Sequence, residues 1–251
     1  MKIRLTVIGV AICLQAGSVS MAAPDPAVAG MQKLGAFAID RTEVTIGAFA
    51  KFAAETGFKT KAEREGGSLV YEAGWMKKSG WNWRRPFGKP ANASEPAVHV
   101  TYAEAKAYCT WAGKRLPTDR EWMLAAYTEM RARPPAPFTR GKTYPYPTGV
   151  TAAGANCLEE CGSTPAIDYS SVLTRGKGHA PAGTTRPGVN GLYDMGANVW
   201  EWVDSGAAGE KITRGGSWWY GAAQMHANYR ASKPPDMAVV YIGFRCVRSL
   251  R

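Results

Sequence analysis

The chain predicts an α+β fold, built as one domain with little regular secondary structure. Three observations lead there. Gly 28 and Pro 16 in 251 residues are a heavy load, so much of the chain must be turns and irregular loops. Two strong helix starts stand in the first half, and only short strand-like segments follow in the last third. Hydrophobic residues at 45% and charged residues at 20% exclude a disordered chain. No internal repeat and no linker divides the sequence, which favours one domain over two at this length.

The N-terminus reads MKIRLTVIGVAICLQAGSVSMAAPDP. Basic Lys2 and Arg4 precede an apolar run over 5–16, and small residues follow, with a cleavage site after Ala22. Residues 1–22 are therefore expected to be a secretory signal peptide, too short in their apolar run to span a membrane. Cys13 would suit a lipoprotein, but Ile12 stands where that signal wants a small residue, so no stable membrane anchor is expected. The mature protein is expected in the periplasm or the medium, with a flexible Pro/Ala-rich leader at 23–33 and the domain at 34–251.

Each element has its local warrant. FAIDRTEVT reads as an alternating strand. Thr45 caps a helix that places Phe49, Phe52 and Ala53 on one face, and Gly57 stops it. Residues 59–97 are rich in Gly, Trp and basic residues without clear periodicity and read as a long ordered loop. AVHVT reads as a short strand. Thr101 and Glu104 form a capping box for a helix with Ala105, Tyr108, Cys109 and Ala112 in register, ended by Gly113. Thr118 and Glu121 form a second box, with Trp122, Ala125 and Ala126 turned inward. Residues 131–193 are mostly turns, and VWEWV, TRGGSWW and IGFRCVR are short strands.

The net charge is +11, but the basic residues are scattered and do not gather on one element, which disfavours a nucleic-acid partner. Loose attraction to acidic clients is the better reading. Leaving out Cys13, four cysteines remain: Cys109, Cys157, Cys161 and Cys246. In an oxidising compartment an even number suggests two disulfides, with three connectivities open.

Five phrases stand in order: FAIDRTEVT, PAVHVTYAEAKAYCTWAGKRLPTDREW, NGLYDMGANVWEW, RGGSWW and RASKPPD…IGFRCV. Together they resemble the formylglycine-generating-enzyme, or sulfatase-modifying-factor, family over about residues 37–247. The resemblance implies an irregular C-type-lectin-like fold, in keeping with the turn-rich reading. It does not settle function, since the family holds formylglycine-generating oxidases, sulfoxide synthases of thiol-histidine biosynthesis, exported pyoverdine-maturation factors and non-catalytic paralogues.

The resemblance also assigns sites. A calcium ion is implied at Asp194 and Glu201 with the carbonyls of Ala197 and Val199, a hard-cation set that would stiffen loops. The bland alternative makes Asp194 a turn residue and pairs Glu201 with an arginine. A second calcium site would begin at Asn156 and reach Asp168. The family joins the positions of Cys109 and Cys246 by a disulfide. Cys157 and Cys161, in CLEEC, are then either a local disulfide or a reactive, soft-metal pair; Glu159 and Glu160 between them oppose thiolate formation and favour the disulfide.

Aerobic formylglycine generation needs two copper-binding cysteines after GGS. Here that stretch reads GGSWWYGAAQMHANYR, with Tyr220 at the first position and Met225 at the second, so cysteine-based copper chemistry is not expected there. Met225 and His226 are the candidate copper ligands, and Trp200, Ser217, Tyr220 and His226 are expected to line the cleft. Two functions follow. One is an exported oxidative maturation factor acting on a peptide or peptide-derived client, with a siderophore precursor or a metalloenzyme as candidates. The other is a non-catalytic binding module for a peptide, glycan or protein.

Overall fold

A computed structural model describes residues 28–250; the expected signal peptide and the start of the leader lie outside them. Residues 31–33, expected in the flexible leader, lie in a strand. β1 (Met31–Leu34) already pairs antiparallel with β2 (Phe37–Asp40), because Met31 and Leu34 bury their side chains. β2 is buried along its length and does not alternate.

α1 (Ile46–Thr56) follows. The Thr45 hydroxyl accepts from Ala48 N at its start, and Gly57 closes it in the left-handed conformation. Residues 59–97, expected as a loop, contain three elements. α2 (Lys61–Arg64) is capped by Thr60 and Glu63, and β3 (Gly67–Tyr71) pairs with β4 (Trp75–Ser79) as a hairpin. The AVHVT segment is not a strand; His99 sits at φ 59° and interrupts it. α3 (Tyr102–Trp111) and α4 (Asp119–Tyr127) begin at complete capping boxes. Each box satisfies two helix-end N–H groups that would otherwise go unpaired.

The last third makes a four-stranded sheet of β5 (Trp200–Trp202), β6 (Lys211–Arg214), β7 (Ala231–Lys233) and β8 (Ile242–Gly243), in the order β7-β6-β5-β8. Strand β6 stops at Arg214, so GGSWW is a turn and not a strand. β9 (Val247–Ser249) leaves this sheet and joins β1 and β2. The main core packs α1 and α3 against the sheet through Phe49, Phe52, Tyr108, Trp83, Trp202 and Phe244. A second core lies under α4, around Trp122.

Cys109 and Cys246 are joined, 137 residues apart, and the constraint removes roughly 5 kcal/mol of unfolded-chain entropy. Cys157 and Cys161 form a local disulfide, so the disulfide reading of CLEEC holds.

Candidate functional site

The loop before β5 is built on unusual backbone. Asp194, Ala197 and Asn198 have φ of 58°, 60° and 54°, a conformation that side chains other than glycine seldom adopt. What holds it is Asn198. Its Oδ1 accepts from Asn156 Nδ2 at 2.9 Å and Ala180 N at 2.8 Å; its Nδ2 donates to Glu43 Oε2 at 2.8 Å and Ala180 O at 3.3 Å. All four hydrogen-bonding valences of the amide are used.

Beneath this loop lies a buried ionic cluster. Arg245 donates to both oxygens of Glu201, its Nη2 reaching Oε1 at 2.7 Å and its Nε reaching Oε2 at 2.8 Å. Trp122 Nε1 adds a bond to Oε2 at 2.8 Å. Asp194 Oδ2 accepts from Gly183 N at 2.6 Å, and Oδ1 accepts from the Thr185 hydroxyl. Glu43, a residue the sequence reading passed over, accepts from Val199 N at 3.2 Å as well as from Asn198. Burial, then the charges of Asp194 and Glu201, pushes the Glu43 carboxyl well above its ordinary range. Burial also raises that of Asp194.

Three buried carboxylates thus face one guanidinium. The arginine pairing of Glu201 occurs, as the bland alternative had it, yet it balances one of the three acids. Burial favours the protonated forms of Glu43 and Asp194. The calcium cage itself is not formed: among the described residues no three His, Cys, Asp or Glu side chains stand together as metal ligands. Ala197 N donates to Gly215 O at 2.6 Å. The second expected set is not assembled either. Asn156 is buried and spends its amide on Gly178 O and Asn198, whereas the Asp168 carboxylate turns to its own Ser170 N in solvent.

The expected cleft is assembled in part. Trp200 is buried, and its Nε1 has no hydrogen-bond partner among the described residues. Its ring lies 5.7 Å from Tyr220 and 5.9 Å from Tyr229, and Lys233 Nζ stands 5.7 Å from its centroid. Burial lowers the Lys233 pKa. Tyr220 hydrogen-bonds Tyr241, and burial raises the pKa of both phenols. Tyr241 packs on Trp219, over which Arg175 lies at 4.1 Å. Exposed Tyr71 and Trp75 of the hairpin, 5.4 Å apart, continue this aromatic surface. Ser217 is fully buried, and its Oγ accepts from Trp219 N at 3.3 Å.

Met225 and His226 are not presented as a chelating pair. Met225 is fully buried, with its methyl against Gly196 and its sulfur beside the Cys157–Cys161 disulfide. His226 takes Asn228 N on Nδ1 at 3.2 Å and sets its ring edge-on to Tyr146. Sequence reasoning missed Glu43, Arg245, Tyr241 and Lys233 as parts of the site, because each arrives from a distant segment.

Comparison with known proteins agrees with this architecture. The chain is 31% identical over 265 residues to a formylglycine-generating enzyme of Streptomyces coelicolor, covering 85% of this chain and 78% of that protein. It is 33% identical over 245 residues to the inactive C-alpha-formylglycine-generating enzyme 2 of Mus musculus, covering 85% and 75%. The structure of PvdO from Pseudomonas aeruginosa shares the fold, with a TM-score of 0.57 at 23% identity over 85% of this chain and 80% of that one. The model of the sulfatase-modifying factor enzyme 1-like domain matches residues 6–250, and the chain belongs to that family.

Proposed function

We propose that this protein is an exported modification factor that acts oxidatively on a peptide or peptide-derived client, without the thiol pair of formylglycine generation. One observation carries this reading. Where the resemblance places the first thiol stands Tyr220, hydrogen-bonded to Tyr241 and facing Trp200, so the cleft keeps its floor and walls while its chemistry is changed. Trp200, Tyr220 and Tyr229 offer ring faces to a flat group. Lys233 and Arg175 beside them favour a client with negative charge. Copper at Met225 and His226 has little support, since the two side chains serve different neighbours.

Calcium belongs to this reading as an ion held by Asp194, Glu201 and the Ala197 and Val199 carbonyls, which would compete with the bonds Glu201 accepts from Arg245 and Trp122. Bound there, it would brace the loop that carries Trp200, and it would supply no chemistry.

The test is incubation of the purified protein with candidate peptides and oxygen, read by mass spectrometry. Loss of two hydrogens or gain of one oxygen on a client, abolished by Tyr220→Phe or Trp200→Ala, supports the proposal. Conversion of a CxPxR sulfatase peptide to the aldehyde would sink it. A second reading, a binding module without turnover, is favoured by the exposed Tyr71, Trp75 and Tyr229 rings and by the inactive mouse relative. It requires a client that binds and is recovered unchanged.

A further inference from the structure

Strand β4 leaves one edge of its hairpin open. At the two ends of the ladder, Gly80 N donates to Gly66 O at 2.9 Å and Glu72 N donates to Gly74 O at 3.1 Å. The register pairs Ser68 with Lys78 and Val70 with Met76. The alternation of an antiparallel pair then bonds Met76 and Lys78 to β3. Trp75, Lys77 and Ser79 turn their backbone N–H and C=O groups the other way. The hairpin sheet has two strands, and among the described residues no backbone group bonds to that outer row. The far side of β3 meets Val239 at Leu69, so β4 is the open edge.

We propose that this edge is a docking strand for an extended, acidic peptide segment, which adds to the hairpin as a third strand. A row of alternating donors and acceptors is complemented by a peptide backbone in extended form. Lysines ordinarily blunt such edges against chance pairing, and Lys77 and Lys78 stand here. Yet the same strand exposes Trp75 at 51%, with Tyr71 and Met76 exposed beside it. An edge that is only being protected has no use for these side chains, whereas buried aromatic anchors carry much of the energy of interfaces.

Charge selects the occupant. Lys77 Nζ lies 3.8 Å from Glu65 Oε2, and both side chains are about half exposed, so the pair is weak. Lys78 meets no carboxylate among the described residues; its Nζ stands 6.0 Å from the Trp81 ring centroid. Glu72, at the hairpin turn, already accepts from Thr174 N and from the Thr174 hydroxyl. A second copy paired edge to edge would gather four lysines on one short ladder, which disfavours self-association. Two adjacent acidic residues of a peptide would instead meet one lysine on each face, because successive side chains alternate. Apolar residues next to them would meet Trp75 and Met76. On the face of Met76 and Lys78, a groove of about 520 Å³ walled by residues 170–174 gives alternate side chains room.

The site does not rest on the function proposed above. A peptide that docks here and is recovered unchanged would remove the oxidative reading and leave this one standing. The probe is an end-capped hexapeptide of two valines flanked on each side by two glutamates, which fits either strand direction. It is titrated into the mature protein, and amide hydrogen exchange is followed by NMR.

Exchange should slow at Trp75, Lys77 and Ser79 and stay unchanged at Met76 and Lys78, whose N–H groups are already bonded. Lys77→Pro removes one outward N–H without touching the ladder to β3 and should weaken binding at least about tenfold. Lys77→Ala, which keeps that N–H, should lose less. Lys77→Glu with Lys78→Glu should abolish binding, as should exchanging the glutamates of the peptide for lysines. Should Lys77→Pro unfold the hairpin, peptides N-methylated at alternate amides serve in its place: one alternation should bind and the other should not. The proposal is overturned if the peptide slows no outward amide of β4, if both N-methylated forms bind alike, or if Lys77→Pro binds as tightly as the parent. Dimerisation that Lys77→Pro abolishes would also overturn it, by giving the edge to a second copy.

Discussion

Arg245 and Glu201 form a fully buried, two-oxygen ion pair that joins the C-terminal GFRC segment to the central strand β5. Arg245 Nη2 also donates to Tyr193 O at 2.9 Å and Nη1 to Asp40 O at 3.2 Å, so one guanidinium ties three segments. Removing it leaves Glu201 beside Glu43 and Asp194 with no cation. Arg245→Met should lower unfolding free energy by about 3–5 kcal/mol, the usual cost of breaking a buried pair from one side. Replacing both partners with apolar residues should recover part of that loss. Urea unfolding of the two single variants and the double variant checks this, and an additive double variant would contradict it.

The calcium proposed at Asp194 and Glu201 predicts a response to the ion. Saturating the site at about a hundredfold above Kd should stabilise the fold by about 2.7 kcal/mol. Thermal melts in calcium and in a chelator should therefore differ, and Asp194→Asn should shrink the gap. Equal melting temperatures in both solutions would mean that protonation of Glu43 and Asp194 carries the balance instead.

Acid sensitivity should come from histidine. Burial lowers the His99 pKa to about 4 from 6.5, and burial lowers that of His179 too. As pH falls below about 6.5 the unfolded chain takes up protons that the folded chain refuses. The stability these rings contribute is complete above that value and is lost as pH drops toward about 4. For His99 the loss amounts to about 3 kcal/mol. His99→Gln, which keeps a donor for Pro86 O, should flatten the stability profile over that window; an unchanged profile would assign the acid limb elsewhere.

The two disulfides should differ in weight. Cys109–Cys246 closes a loop of sequence separation 137 and Cys157–Cys161 one of separation 4. Chain entropy alone gives about 5 kcal/mol for the first and about 2 kcal/mol for the second. Guanidine unfolding of the two serine-pair variants should show the long-range pair costing roughly twice as much or more; equal losses would point to packing around the short loop.

Local signals in the sequence were readable where they were complete. Thr45, Thr101 and Thr118 all cap helices, because the capping residue and its partner lie within one turn. The β3–β4 hairpin escaped notice because Leu69, Tyr71 and Trp75 share its outward face while Met76, across from buried Val70, is exposed too, so no period of two shows. AVHVT has the composition of a strand, but His99 turns the chain through the left-handed region. The ionic cluster was half legible: Asp194 and Glu201 stand in the NGLYDMGANVWEW phrase, but Glu43 left no local trace. Glu43 meets Asn198 across 155 residues, and nothing near either residue announces the other. The family-type phrases located the cleft, but not the phenol pair that furnishes it.

Strand β9 closes the sheet begun by β2, pairing Val247 with Ile39 and Ser249 with Phe37, while Arg115 exchanges backbone bonds with Val247. The earliest strands of the domain thus wait for its final residues before their edge is covered. Such long-range closure slows folding, since this edge of β2 stays open until residues 247–249 arrive. A reporter fused directly after residue 250 would press on the seam where β9 covers β2.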